Sequence, residues 1–457
     1  MSRRAPVRAP LFSATTVAAI ALVASTLTPA RAHAKATIQA TTTGSAGWTD
    51  NVLNAPDQQV PGGPARESDF FFQIAPGAVV SSASPRFIQR LAYTFTADLF
   101  VTHSEADSYS NSLEWAADLL ASRTTTLILT LLTLQGRLST FAINQQSSGA
   151  TVAVLPATNI NYFSQNATES LEWLPSSKWR LSQVLLFRAF IPIDRGVQPD
   201  VYNVVPELSF DRLWSRDALG LVLREEYVEY VPPRDPMTNV AGFDTRQAVT
   251  TLLARWRRDW TPFWSTEAAL GAVAGVGASD DPMVPSETAW EPSALAAVRY
   301  THDFGAAELR YAHDVVPNPL AGSTFSTDEV AVQGGLPIVR AKMFLGATAA
   351  YQHARLLPLG QGVAAADADI VLVDFTIGWQ PRPEIGLFAR YSLYDQFGSP
   401  PVMDVAATLP DITRQTVMVG LNVIYPAVAA AKVQTRQSAR VDRSDDAFPE
   451  LSQPRPQ

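Results

Sequence analysis

The chain contains no cysteine, which excludes disulfide frameworks, thiolate metal centres and cysteine nucleophiles together. Charge is also sparse: only 17% of the 457 residues are Asp, Glu, Lys or Arg, and acids outnumber bases 43 to 35. Sparse charge beside 47% hydrophobic content argues against wholesale disorder, and an acidic balance gives no global reason to expect a nucleic-acid partner. Histidine is scarce. After His33, which falls in the N-terminal segment, His103, His302, His313 and His353 are far apart and form no H-x-x-x-H or HExxH pair, so no metal or other cofactor is expected. No G-x-S-x-G elbow is present, and Gly271, Gly275 and Gly277 lack the G-x-G-x-x-G spacing of a dinucleotide loop. The expectation is a protein without enzymatic activity. Past the N-terminus, no apolar run approaches the roughly 18 residues of a spanning helix.

The N-terminus reads as a secretory signal peptide over residues 1–34. Arg3, Arg4 and Arg8 form a positive region, residues 11–27 are apolar, and Ala32-His33-Ala34 supplies a small-x-small exit site. An exported acidic chain without cysteine fits the envelope of a Gram-negative bacterium.

What fills the rest of the chain is period two. In 384–395, Ile385, Leu387, Ala389, Tyr391 and Leu393 share one face, while Gly386, Phe388, Arg390, Ser392 and Tyr394 share the other. The stretch 89–102 sets Leu91, Tyr93, Phe95, Ala97, Leu99 and Val101 against Arg90, Thr94, Thr96, Asp98 and Thr102, and similar alternation recurs to 416–425. Two stretches, 124–134 and 219–231, carry apolar or charged residues on both faces, which predicts a bulge, a register shift or an irregular wall there. A soluble sandwich alternates too, but the connections here discriminate. Short links at 81–85, 121–123, 175–178, 215–218, 261–262, 303–305, 336–337 and 380–383 alternate with long ones at 50–66, 138–165, 195–203, 232–243, 276–287, 315–324, 354–367 and 397–412, the exception being 104–107. Tight turns at one rim and long loops at the other are the pattern of an outer-membrane barrel. Trp115, Trp173, Trp179, Trp256, Trp260, Trp264, Trp290, Trp379 and Tyr425 fall mostly near strand ends, as an aromatic girdle requires. The expected fold is all-β: a closed antiparallel transmembrane β-barrel over residues 35–426, with about eighteen strands and sixteen as the nearest alternative.

The charges on the polar faces are the candidate lumen-lining residues: Arg90, Asp98, Glu114, Asp118, Arg180, Arg188, Arg255, Arg257, Glu267, Arg299, Glu308, Arg310, Arg340, Lys342, Asp374 and Arg390. Such residues either pair across a wet lumen or line a conduit in which arginines meet carboxylates or phosphates and aromatics such as Phe388 and Tyr394 stack on sugar faces. The pattern alone leaves both readings open. Residues 427–457, rich in Gln, Arg, Ser, Asp and Pro, read as a disordered periplasmic tail.

Two stretches carry a resemblance. In the last strand Gly420, Val423 and Tyr425, a glycine followed by apolar residues three and five positions on, resemble the terminal sorting signal of outer-membrane barrels, which implies recognition by the barrel-assembly machinery. The stretch Gly47-Trp-Thr-Asp-Asn-Val52, followed by Ser68-Asp-Phe-Phe-Phe-Gln-Ile-Ala-Pro-Gly77, is similar to the opening hairpin of outer-membrane barrels of the polysaccharide-export, exosortase-associated type. That resemblance implies a translocon for exopolysaccharide or capsule, embedded in outer-membrane lipid and working with a periplasmic polysaccharide export protein. A porin for small solutes and a structural or adhesive barrel are the competing expectations.

Overall fold

The structure is a computed structural model that describes residues 35–58, 63–139, 159–193, 199–232, 243–281, 286–318, 323–338, 342–357, 367–398 and 410–426. The segments read as a signal peptide and a periplasmic tail lie outside the described residues, as does Arg340. The strands are β1 (Lys35–Thr49), β2 (Asp69–Ala83), β3 (Phe87–Phe100), β4 (Ser108–Leu120), β5 (Thr125–Ser139), β6 (Asn159–Ser176), β7 (Trp179–Pro192), β8 (Asp200–Leu213) and β9 (Asp217–Val231). The second half adds β10 (Thr245–Asp259), β11 (Trp264–Ser279), β12 (Glu287–His302), β13 (Gly305–Asn318), β14 (Ser323–Ile338), β15 (Met343–Leu357), β16 (Asp367–Arg382), β17 (Ile385–Gly398) and β18 (Ile412–Tyr425). Each strand pairs antiparallel with its sequence neighbours, and β18 pairs with β1 from Ala40↔Tyr425 to Thr49↔Thr416. The eighteen strands therefore form one closed sheet, the arrangement that pairs strand N–H and C=O groups without water; β12 and β13 pair only from Ala294↔His313 to His302↔Gly305, so their outer ends diverge.

Strand direction sorts the connections onto two rims. Eight are short, at 84–86, 121–124, 177–178, 214–216, 260–263, 303–304, 339–342 and 383–384, and lie at the rim where β1 begins and β18 ends; the other nine lie opposite. The strands run further into the long connections than the sequence pattern marks; for example, β6 starts at Asn159 and β13 ends at Asn318. No register shift falls in 124–134 or 219–231. β5 pairs continuously with both neighbours and β9 with β10, but the β8–β9 ladder lapses between Val204↔Tyr227 and Glu207↔Arg224, where Pro206 lacks an N–H; register shifts fall beside short turns, between Trp173 and Ser176 and between Trp379 and Arg382. Alternation fails on β9 because Glu225 and Glu229 face outward, where Thr250 and Arg246 of β10 hydrogen-bond them, not because the backbone slips.

The polarity of the two faces is inverted relative to a soluble protein. Leu208, Leu221, Leu252, Leu270, Val332 and Val419 point outward and are exposed, whereas Glu207, Asp211, Glu226, Glu267, Gln352 and Gln396 point inward and are buried. An aqueous exterior would penalise that distribution at every strand, and a hydrocarbon exterior favours it. Two aromatic levels bound the apolar band. Near the short-turn rim Trp173, Trp214, Trp260, Trp264, Trp379 and Tyr425 are exposed. Toward the other rim four outward tyrosines each donate a hydroxyl to a polar residue on the next strand: Tyr93 to Asn111 (2.7 Å), Tyr311 to Asp328 (2.9 Å), Tyr351 to Asp369 (2.6 Å) and Tyr391 to Gln415 (3.4 Å). An amphipathic ring with its polar tip beyond the apolar band is the residue an interface selects.

Three inward aromatics lie over the glycine directly opposite on the neighbouring strand. Phe71 covers Gly47, Phe344 covers Gly378 and Phe388 covers Gly420, each ring standing where a glycine Cβ would be. Gly420, singled out as part of an assembly signal, thus also has a packing role. At the turn into β13, Gly305 adopts a φ of 141°, a conformation closed to residues with a side chain.

Candidate functional site

The inner wall carries the chemistry. Asp211 on β8 is buried between Arg180 of β7 and Arg255 of β10, each 2.8 Å from one carboxylate oxygen. Arg255 reaches it across β9 because the intervening residue, opposite both, is Gly220; a Cβ there would stand 1.9 Å from Asp211 Oδ1. Arg299 of β12 joins Glu267 of β11 (3.0 Å) to Glu308 of β13 (3.1 Å), and Arg310 meets Glu329 of β14 at 3.4 Å. Arg390 donates to Asp374 at 2.6 Å, and Ser392 donates to the same oxygen at 2.8 Å. Asp98 accepts from Gln73 (2.8 Å) and Ser108 (3.0 Å). Buried charges in such pairs cost desolvation but are costlier still when one partner is removed.

Of the remaining sequence-derived candidates, Arg90 and Glu114 share the inward face of their strands, Asp118 is buried there, and Arg188 lines a small cavity with Asn203 and Phe190. Arg257 is 3.7 Å from Asp259 near the short-turn rim. Lys342 is not on the wall: it is an exposed residue of the turn before β15. Of the aromatics proposed to stack on sugars, Tyr394 is buried and donates to Gln396 (2.7 Å), and Phe388 is occupied by Gly420.

The periodicity missed a group of charges that meets across the lumen midway along β9. Arg224 of β9 holds Asp314 of β13 through two contacts of 2.6 and 2.7 Å. Glu226, which accepts from Asn203 (2.7 Å), and Glu207 are buried beside it. Their signal in the sequence is the charged run of 219–231, which alternation alone reads as irregularity. Arg414 donates to Thr49 (3.3 Å) and to Asn54 (3.0 Å), an inward-folded residue of the β1–β2 connection. In that connection Asn51, Val52, Asn54 and Ala55 are all buried, with Asn51 donating to the Thr413 carbonyl at 3.0 Å and Arg66 bridging Asp50 and Asp57. Asp50, Asn51 and Val52 of the opening-hairpin motif are therefore packed and hydrogen-bonded against the outer end of β18.

On the opposite side the wall itself bends into the lumen. A barrel strand exposes alternate residues to the exterior, yet Thr324, Phe325, Ser326 and Thr327 are buried in succession, as are Leu356 and Leu357. Phe325 and Leu356 pack toward Ile370, Tyr394 and Ile412 of β16, β17 and β18. On the other face, Val315 and Leu357 pack against Val249 and Val273 of β10 and β11, Thr324 donates to Gln247, Arg355 reaches Glu291 at 2.6 Å, and Pro317 shares a cavity with Phe190 and Tyr230. The outer ends of β13, β14 and β15 thus fold inward, with Val315, Thr324, Arg355 and Leu357 of their nominal outer face against the inner wall of β10 to β12, while Asp314, on the other face of β13, reaches Arg224 of β9.

Outside the strands, His103 is clamped at the same rim. Nδ1 lies 3.0 Å from Asp69 and Nε2 contacts Glu67, so both ring nitrogens act as donors, and hydrogen bonding first to Glu67 and then to Asp69 raises the imidazole pKa. Among the described residues no group of three His, Asp or Glu side chains is arranged to hold a metal.

No family model matches the chain, and no curated protein matches it. Solved structures do. The FrpB iron transporter from Neisseria meningitidis aligns at a TM-score of 0.44 and 9% identity, over 85% of this chain and 81% of that one. The alcaligin outer-membrane receptor FauA from Bordetella pertussis gives 0.41 and 11%, over 85% and 76%. Pseudomonas aeruginosa OccK2 (OpdF), solved with glucuronate, gives 0.42 and 12%, over 85% of this chain and 98% of its own length.

Proposed function

We propose that the protein is a non-enzymatic outer-membrane transport barrel that passes small hydrophilic solutes. The observation that carries this reading is the inverted polarity of a closed sheet: an apolar, aromatic-bounded exterior around an inner wall of charged side chains. Small solutes are placed ahead of a polysaccharide for two reasons. Among the described residues, the inward-folded ends of β13–β15 and the buried residues of the β1–β2 connection take up lumen space toward the outer rim, and the residues that resemble a polysaccharide-export barrel have packing and hydrogen-bonding work of their own.

Reconstitution in planar bilayers and in liposomes loaded with sugars of graded size tests the reading. The expected result is discrete conductance and permeation by mono- but not oligosaccharides. Deleting the gene should impair small-solute uptake and leave surface polysaccharide intact; the reverse phenotype, with co-purification of a periplasmic export protein, would establish the polysaccharide translocon instead.

A further inference from the structure

We infer that the outer ends of β13, β14 and β15 form a gate made from the barrel wall, held shut by the Arg224–Asp314 ion pair. The inference rests on the transport reading and adds the element that controls passage.

Three observations carry it. First, β9 and β13 are four strands apart in the sheet, and in a round barrel about 25 Å of wall separates such strands. An arginine and an aspartate cannot span that distance, so their contact at 2.6 Å requires the wall to be bent inward. Second, the bend starts at a definite level. Tyr311, Val330 and Val332 are exposed on the outer face, whereas Val315 and Pro317 on β13 are buried on that face and Thr324 to Thr327 on β14 are buried on both. Third, the seam between the folded ends and the inner wall is mixed. Val315 and Leu357 make apolar contacts, but Arg224–Asp314, Thr324–Gln247 and Arg355–Glu291 are polar pairs whose members water can solvate separately. A seam of this kind opens at a smaller cost than a wholly apolar one, because its charged groups regain hydration as they part. Outward movement of the three strand ends would restore a round mouth without breaking the sheet, since the β13–β14 and β14–β15 ladders move together.

The absence of native cysteine makes the test direct. Gln247→Cys and Thr324→Cys, on side chains that touch across the seam, are bridged with a short bis-methanethiosulfonate and released with reductant, the bridge being verified by mass. Conductance abolished by the bridge and recovered on reduction is expected. So is an open fraction raised several-fold in the double variant Arg224→Met/Asp314→Leu, which removes both charges of the pair, with Glu226→Gln added as a third change so that the neighbouring buried carboxylate that Arg224 faces is not left uncompensated. A bridged protein that conducts like the unbridged one overturns the gate and leaves the transport reading intact. Silence of wild type and both variants, each shown by heat-modifiable gel mobility to be a folded barrel, overturns the transport reading and the gate with it.

Discussion

Strands β13, β14 and β15 offer two regions built from the same chain by the same backbone geometry. Their parts nearer the short-turn rim obey the barrel rule: Leu309, Val330 and Val332 face out, while Glu308 and Arg310 face in. Their outer ends do not, since Val315, Thr324, Phe325 and Leu357 are buried on both faces. The difference is that hydrocarbon demands one greasy face and water demands none, so a strand that leaves the membrane is free to bury both sides in the mouth. Alternation therefore reports the membrane-spanning part of each strand and falls silent above it.

The comparison breaks most sharply at the buried charges. Asp211→Ala strands Arg180 and Arg255 inside the wall and should cost about 3–5 kcal/mol, read as a lowered urea midpoint for the barrel in detergent micelles or liposomes; an unchanged midpoint would mean that the inner wall is wet enough to solvate both arginines. Next comes the outer face. Leu221→Arg should destabilise by about 2–4 kcal/mol in lipid, whereas Thr94→Arg on the inward face should cost well under half of that, and equal costs would deny that lipid contacts β9. A smaller effect is expected for Phe388→Ala, which uncovers Gly420: about 1 kcal/mol from lost apolar burial, seen as faster unfolding from liposomes, with Phe388→Tyr close to wild type. The smallest belongs to the rim. His103 has a raised pKa, so its clamp on Glu67 and Asp69 is fully present below the ordinary histidine range and is lost as pH rises through the raised value. Hydrogen exchange at the Thr102 and His103 amides, both bonded to Asp69, should accelerate over that interval, and His103→Gln should remove the pH dependence.

Much of the barrel was legible because its signals are local. Period-two alternation in 89–102 and 384–395 sets faces, and the alternation of short and long connections sets the rims; both survive without knowledge of any partner strand. The candidate inner-wall residues were legible for the same reason, and Arg180, Arg255, Asp374 and Arg390 lie on the inward face. Lys342 was misplaced because β15 starts one residue after it, at Met343, and strand boundaries carry little local signal. Arg224 and Glu226 were passed over because Glu225 and Glu229 on the opposite face masked the pattern; only the register with β10 shows that those outer acids are partnered by Thr250 and Arg246.

The sequence by itself determined that the chain would close into an antiparallel barrel of about eighteen strands with a greasy exterior, because face polarity, girdle aromatics and connection lengths are properties of short segments. Only the tertiary structure decided what fills the mouth. The pairing of Arg224 with Asp314, 90 residues on, and the packing of Leu357 on Val249 depend on how far a closed wall bends, and the energy of that bend is set by contacts across the lumen that no local pattern records.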